Sequence, residues 1–352
     1  MPDIKEKFIQ CLNCGSFNKD LSKFCNRCGR TLKPDIVITT GKLSKLKEVE
    51  IKCKVCQKPV NSAGNYCLFC GSRLKDKLEA ESYQQTREDK TSFVIGKISD
   101  LGMRRDINED SLSTIEFSIA ENSKLIQIGL YLVSDGMGGA NAGEVASQTA
   151  VRSINSYMIN EMQTLNIKDF EKEISAIIKG AITNAHQTVL GLAKQDESRK
   201  GMGCTMVICV VKGSAVYIDH IGDSRCYYVT GKKIKQITED HSLFNTLVKK
   251  GAIKKEDREN FKQKNVITNA LGISIDIDKS IDSKVKIINM EHNEFIVMCS
   301  DGLTGHLEDK EIGEIVLKSS DPQNACVELV KLANQRGGKD NITVIIMKCV
   351  KK

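Results

Sequence analysis

The sequence predicts an α+β protein: antiparallel sheets covered by helices, preceded by two small modules built on cysteine. Three observations carry this. Apolar residues recur at three- and four-residue steps over 143–162 and 170–193. Short runs rich in Val and Ile lie around those helices, with at least one tight hairpin between them. The first 75 residues also hold eight cysteines in four CxxC pairs.

The cysteines form a repeat. Cys11-Leu12-Asn13-Cys14 is followed after ten residues by Cys25-Asn26-Arg27-Cys28, and Cys53-Lys54-Val55-Cys56 after ten residues by Cys67-Leu68-Phe69-Cys70. The period is 42 residues, and each repeat closes on Gly29 or Gly71. CxxC places two thiolates on one tight turn, and two such turns complete a tetrahedron of sulfur around Zn. With few large apolar residues per repeat, the metal must supply folding energy. Two structural Zn ions are expected, one held by Cys11, Cys14, Cys25 and Cys28, the other by Cys53, Cys56, Cys67 and Cys70. The modules are assigned to 1–34 and 35–74, with a polar linker over 75–91 and one large domain over 92–352.

In the large domain, Phe170, Ile174, Ile177, Ile178, Ala181, Ala185, Val189 and Leu192 mark one helix, and Ala146, Ala150, Val151, Ile154 and Met158 another. Strand signals fall at Leu125–Val133, Thr205–Val211, Ser214–Ile221, Arg225–Val229, Glu294–Cys299 and Asn341–Cys349, and Lys212-Gly213-Ser214 is a hairpin turn. Two further helices are expected at Asp309–Lys318 and Pro322–Gln335. Paired helices with hairpins between them argue against alternating βαβ units. Cys204, Cys209, Cys226, Cys299, Cys326 and Cys349 stand singly, mostly in apolar runs, and read as small core residues.

The chain of 352 residues has a net charge of +7. Residues 1–90 carry 18 Lys and Arg against 11 Asp and Glu, so the N-terminal part accounts for the whole excess. A basic module admits nucleic acid, acidic protein or anionic lipid as a partner, and a solvated surface equally well. No apolar stretch approaches a membrane span and no signal-peptide pattern opens the chain, so a cytoplasmic protein without membrane association is expected.

Four acidic motifs carry the chemistry: Arg105-Asp106-Ile107-Asn108-Glu109-Asp110, Ser134-Asp135-Gly136-Met137-Gly138-Gly139, Ser300-Asp301-Gly302 and Gly338-Lys339-Asp340-Asn341. Asp135 and Asp301 each follow an apolar run and precede glycine, a pattern expected where a buried strand ends at a cleft. Converging carboxylates repel unless cations neutralise them. Oxygen ligands suit Mg or Mn, so a metal site doing hydrolytic chemistry is expected.

Together with Gly201-Met202-Gly203-Cys204-Thr205, Ile221-Gly222-Asp223-Ser224-Arg225, Thr238-Glu239-Asp240-His241-Ser242 and Ile267-Thr268-Asn269-Ala270-Leu271-Gly272, these motifs follow one family's order over residues 95–348. The domain resembles the metal-dependent protein phosphatases of the protein phosphatase 2C family, in its compact bacterial form. The cysteine repeats resemble a double zinc ribbon. The resemblance implies two antiparallel sheets in a sandwich flanked by helix pairs, and hydrolysis of phosphoserine and phosphothreonine at two Mg or Mn ions. Asp135 would bridge the ions, Asp301 and Asp340 would complete one site, and the Gly136 carbonyl with Glu109 the other. Asp223, with Asp301, corresponds to a weaker third site. Arg105 would grip the phosphate and Asp110 orient the attacking water. The segment Leu243–Lys264 stands where the family has a flap over the cleft.

Two departures stand out. Met137 replaces a histidine that serves many eukaryotic members as proton donor, leaving water or His241 for that task. Asn269 stands where members often have arginine. Phosphoproteins are the implied substrates and a serine/threonine kinase the implied opponent, with protein or nucleic acid docking on the ribbons. The competing expectation is a catalytically weak scaffold that binds phosphoproteins or associates with nucleic acid.

Overall fold

The computed structural model describes residues 7–11, 17–19, 22–25, 27, 30–32, 37–39, 50–61, 66–72, 74, 91–121, 124–139, 142–231, 233–258, 260–273, 285–319 and 321–351. The chain divides into two compact units, Met1–Ser82 and Tyr83–Lys352. Of the stretch 75–91 expected as a linker, residues 75–90 lie outside the described residues, as do Cys14 and Cys28, while Thr91 already opens a strand.

In the first unit, β1 (Lys7–Gln10) lies between β2 (Phe17–Lys19) and β3 (Val37–Thr39), and β4 (Glu50–Lys52) pairs with β5 (Pro59–Asn61). β3 begins beyond residue 34 yet pairs with β1, and Lys23 and Phe24 both donate backbone hydrogen bonds to Leu68 O, at 3.0 and 3.3 Å. The two cysteine modules are therefore tied to each other through the main chain. Among the described residues, the buried apolar clusters are Ile9, Cys11, Cys25 and Leu32 in one, and Cys53, Val60 and Cys67 in the other, with Phe69 and Leu74 packed against the second.

The second unit holds β6 (Thr91–Asp100), β7 (Asp110–Glu121), β8 (Lys124–Met137), α1 (Ala142–Thr164) and α2 (Phe170–Gln195). β9 (Gly203–Cys204), β10 (Met206–Lys212), β11 (Ala215–Ile221), β12 (Arg225–Thr230), β13 (Lys233–Gln236) and α3 (Leu243–Lys249) follow. The chain ends with β14 (Lys286–Asn289), β15 (Phe295–Cys299), α4 (Asp301–Thr304), α5 (Asp309–Lys318), α6 (Pro322–Gln335) and β16 (Ile342–Lys351).

Two antiparallel sheets result. One runs β14-β11-β10-β8-β7 with β9 on β8, the other β13-β12-β15-β16-β6. Strand alternation explains the layers, because successive side chains face opposite ways. Leu130, Leu132, Met206, Ile208 and Val210 face α1 and α2, while Tyr131, Val133, Val207, Cys209 and Val211 face the other sheet. On β16, Ile342, Val344 and Ile346 face α5 and α6, and Ile345, Met347 and Cys349 face inward. Both faces of the central strands are apolar because both are covered. The result is the helix-flanked sandwich expected from the resemblance, and all six single cysteines are buried in it.

In the second unit five strands escaped the sequence reading, β6, β7, β13, β14 and the two-residue β9, as did the short strands of the first unit. β7 reads Asp-Ser-Leu-Ser-Thr-Ile-Glu-Phe-Ser-Ile-Ala-Glu, in which serines and a threonine dilute the apolar alternation. Its pairing with β8 over twelve residue pairs supplies the order its composition does not. β8 itself runs on through Asp135 to Met137, so that carboxylate sits within a strand and not just past one.

Candidate active site and zinc cluster

The acidic motifs meet at one end of the sandwich. β7 and β8 are in register with Asp110 opposite Asp135, which places two carboxylates side by side across the ladder. Asp301 starts α4, immediately after β15 and Ser300. Asp340 and Asn341 lead into β16, the neighbour of β15. Asp223 sits in the turn from β11 to β12. Chain-distant segments of both sheets thus deliver their acids to the same end of the sandwich.

Neutral groups lock the acids in place. Ser300 Oγ donates to Asp110 Oδ2 at 2.7 Å and accepts from Thr343 N at 3.0 Å. Thr205 brackets Asp135: its amide donates to Asp135 O at 2.8 Å and its hydroxyl accepts from Asp135 N at 2.9 Å. Asn341 Oδ1 accepts from Glu109 N at 2.8 Å, and its Nδ2 donates to Leu101 O and Ile107 O, pinning the Arg105 loop at three points. Ser300 and Asn341 stood within the acidic motifs without a role of their own, and Thr343, three residues after Asp340, was likewise given none.

Gly136 has a steric reason. A Cβ there would stand 2.1 Å from Gly143 O and 2.6 Å from Glu109 O. The start of α1 thus packs directly on β8, and the Glu109 carboxylate accepts a hydrogen bond from the Gly143 amide.

The electrostatics is that of acids without enough counter-charge. Burial, then repulsion from Asp110, Asp301, Asp223 and Asp340, raises Asp135 well above the usual carboxylate range. Burial pushes Asp110 up to about 7 against hydrogen bonds from Ser300 and Thr343. Burial, with Asp301 and Asp240 nearby, also pushes Asp223 up to about 7. Asp301 and Glu109 are raised as well, each first by burial. Asp110 Oδ1 and Asp223 Oδ1 are buried with no hydrogen-bond partner. Arg105 is the cation at hand: its Nη2 lies 2.8 Å from Asp340 Oδ2 and its Nη1 3.8 Å from Glu109 Oε2.

Buried oxygens without donors, among acids that repel one another, match hard divalent cations and no softer metal. The oxygens are spread widely. Among the described residues, only Cys53, Cys56, Cys67 and Cys70 place three or more ligand atoms all within 4.8 Å of one another.

His241 has a defined position. Its Nδ1 accepts from Gly222 N at 3.1 Å, and its ring stacks on His220 at 4.7 Å. Burial, with His220 alongside, pushes it down to about 4, so at neutral pH it is uncharged. Behind it Arg225 clamps Asp240 through two bonds of 2.9 and 2.7 Å and reaches Tyr227 OH at 3.0 Å and Asp309 Oδ1 at 3.3 Å.

The family model for protein phosphatase 2C matches residues 105–336, and that for the double zinc ribbon residues 11–71. The chain belongs to the protein phosphatase 2C family. Its second unit is a metal-dependent protein serine/threonine phosphatase domain. It is 31% identical over 249 residues to the serine/threonine phosphatase stp of Listeria monocytogenes, spanning 71% of this chain and 93% of that one. It is 32% identical over 257 residues to the protein phosphatase PhpP of Streptococcus pneumoniae, covering 72% and 96%. Among solved structures, the S. agalactiae serine/threonine phosphatase superposes with a TM-score of 0.64 at 30% identity, over 73% of this chain and 99% of that one. The catalytic domain of the phosphatase PstP, in complex with two manganese ions, gives 0.58 at 25% identity, over 74% and 99%.

In the ribbon unit, Cys53 Sγ lies 3.7 Å from Cys70 Sγ, and Cys56 Sγ 3.5 Å from Cys67 Sγ. Tetrahedral Zn–S bonds of about 2.3 Å imply sulfur–sulfur edges of about 3.75 Å; these two pairs stand near that spacing, and all four thiols lie within 4.8 Å of one another. Both turns share one construction. Gln57 N donates to Cys53 O and Gly71 N to Cys67 O, and Gln57 (φ 59°) and Gly71 (φ 72°) both take the left-handed conformation after the last cysteine. Of the first cluster, Cys11 and Cys25 are buried, while Cys14 and Cys28 lie outside the described residues.

Proposed function

We propose that the chain hydrolyses phosphoserine and phosphothreonine in proteins at a binuclear Mg or Mn centre, and that its zinc ribbons select where it acts. The observation that carries this is the convergence of Asp110, Asp135, Asp223 and Asp301 with two buried carboxylate oxygens left unpartnered. Asp135, Asp301, Asp340, Glu109 and the Gly136 carbonyl are the groups suited to hold two ions, and Asp223 with Asp301 a weaker third. Ions held there supply Lewis acidity and a nucleophile from water near neutral pH.

The chain's own residues do the rest. Arg105 offers a planar two-pronged donor to phosphate oxygens, which lysine does not match. It reaches substrate by exchanging its bond to Asp340. Asp110, fixed by Ser300, presents its free Oδ1 as an acceptor that orients water. His241 holds the turn of Asp223 through Gly222 and, uncharged, is no proton donor; Met137 has no proton to give. Proton delivery to the leaving oxygen therefore falls to water.

In the ribbons, Cys11, Cys14, Cys25 and Cys28 are suited to one Zn and Cys53, Cys56, Cys67 and Cys70 to the other. Protein or nucleic acid docking is the role that closed, basic ribbons fit. No helix among the described residues is long and apolar enough to cross a membrane. A cytoplasmic enzyme opposing a serine/threonine kinase is the setting this reading implies.

The test is Mn-dependent hydrolysis of p-nitrophenyl phosphate and of a phosphothreonine peptide, with Asp301→Asn alongside. The variant is expected to lose at least about a thousandfold in kcat while keeping its fold. Full activity in the variant, or in wild type stripped of divalent ions, would refute the reading.

A further inference from the structure

A groove of about 450 Å³ opens between the end of β6 and α6, walled by Ile98 and Met103 on one side and by Val327 and Val330 on the other. Lys331 and Asn334 form part of its polar rim. The groove is continuous with the catalytic loop. β6 ends at Asp100 and the chain passes through Met103 to Arg105, a two-residue step of at most about 7 Å. Met103 N also donates to Gly338 O at 2.7 Å, two residues before Asp340. One wall of the groove thus belongs to the same loops that carry the phosphate-binding arginine and a proposed metal ligand.

Exposed apolar side chains concentrate here. Of ten large ones exposed among the described residues, Leu101, Met103, Ile107 and Val327 lie on this loop or in the groove, Met103 at 65% and Val327 at 47%. Single exposed apolar residues are ordinary, but a cluster beside a reactive site marks a binding surface. The mode of binding is also limited. Gln323 accepts from Lys97 N at 2.9 Å and donates to Lys97 O at 3.0 Å, so the free edge of β6 is capped at that point. A peptide cannot add there as another strand. It must enter by a side chain.

We propose that this groove is a substrate subsite, which takes one apolar side chain located two to four residues from the phosphorylated residue. An extended chain advances about 3.3 Å per residue, so that spacing spans about 7–13 Å, enough to cover the two-residue step from Arg105 to Met103 and to pass on over the groove wall. The proposal rests on the phosphatase reading above and adds a sequence preference to it.

The experiment is a scan of phosphothreonine peptides in an alanine–serine background, with a single leucine placed at each position up to four residues on either side. Leucine at one or two adjacent positions is expected to lower KM about tenfold with kcat unchanged. In Val327→Asp the preference disappears, in Val327→Ala it weakens, and p-nitrophenyl phosphate, too small to reach the groove, is hydrolysed as by wild type. A scan without any favoured position, or a preference that survives Val327→Asp, overturns the subsite while leaving the phosphatase reading intact. Wild type inert towards p-nitrophenyl phosphate with Mn present overturns both.

Discussion

Asp301 illustrates how a residue can serve function at the expense of fold. Burial and the neighbouring Asp340 raise it, and its contact with Asp135 is tolerable only while a proton or a cation is present. Asp301→Asn is therefore expected to leave the metal-free protein as stable as wild type, or more so, at neutral pH. Addition of Mn should then raise the melting temperature of wild type and not of the variant; calorimetry with and without Mn reads both. His241 gives a pH prediction of opposite character. Its folded-state value of about 4 lies below the usual histidine value, so the fold favours the neutral ring. That contribution is intact above about pH 6.5 and is lost as pH falls towards 4. His220, Glu239, Lys249 and Asp240 are the charged or titratable groups acting on it. The stability margin of wild type over His241→Gln is expected to shrink by on the order of 1–3 kcal/mol between pH 7 and pH 4, measured by urea unfolding. A margin independent of pH would remove the neutral-histidine assignment.

Among elements, the decisive joint is the one Arg225 makes. Standing at the start of β12, it binds Asp240 in the loop after β13 and Asp309 at the start of α5, and Tyr227 OH donates to the same Asp309 oxygen at 2.8 Å. Gln236 adds a bond to Asp240 at 2.7 Å. Arg225 and Asp240 are both largely buried, so removing one leaves the other charge unpaired in a poor solvent. Arg225→Met is expected to cost about 3–5 kcal/mol in urea unfolding. It should also lower phosphatase activity, because the loop it holds supports Asp223 through His241 and Gly222. Asp240→Asn with Arg225→Met should recover part of the loss, since the double change leaves no fully buried charge unpaired, Asp309 being half exposed; independent, additive costs would contradict a shared network. The sequence showed Gly222-Asp223-Ser224-Arg225 and Thr238-Glu239-Asp240-His241-Ser242 as motifs, and their mutual purpose emerged only when β12 and β13 paired.

At the scale of the whole molecule, the proposed function assigns a different kind of metal to each unit. Among its described residues the ribbon unit shows only small buried apolar clusters, so on the proposed reading zinc supplies much of its folding free energy. The phosphatase unit has three large apolar clusters, enough buried surface for it to be expected to fold without metal. A strong zinc chelator is accordingly expected to unfold residues 1–74 selectively, seen as loss of one calorimetric transition and rapid proteolysis of the ribbons. Hydrolysis of p-nitrophenyl phosphate with excess Mn should persist. Loss of both transitions together would show that the phosphatase unit relies on zinc.

Much of this was legible in the chain itself. The CxxC spacing named a sulfur cluster because four thiolates at that period have few other uses, and the sulfur separations in the second repeat agree. The long helices were legible because their stripes are continuous and apolar, and α5 and α6 fall where capping residues place them. β6, β7, β13 and β14 were not, because short or serine- and lysine-rich strands take their order from a neighbour's backbone. Motif order determined the family and the acids at stake. Only the tertiary structure decided that Asp110 faces Asp135 across a ladder, that Ser300 and Asn341 hold the loops, that Arg105 binds Asp340, and that an apolar groove begins beside it. Local patterns record what each segment can form alone. Contacts between residues 100–300 positions apart arise only when strands choose partners, and that choice is made by the packed core as a whole.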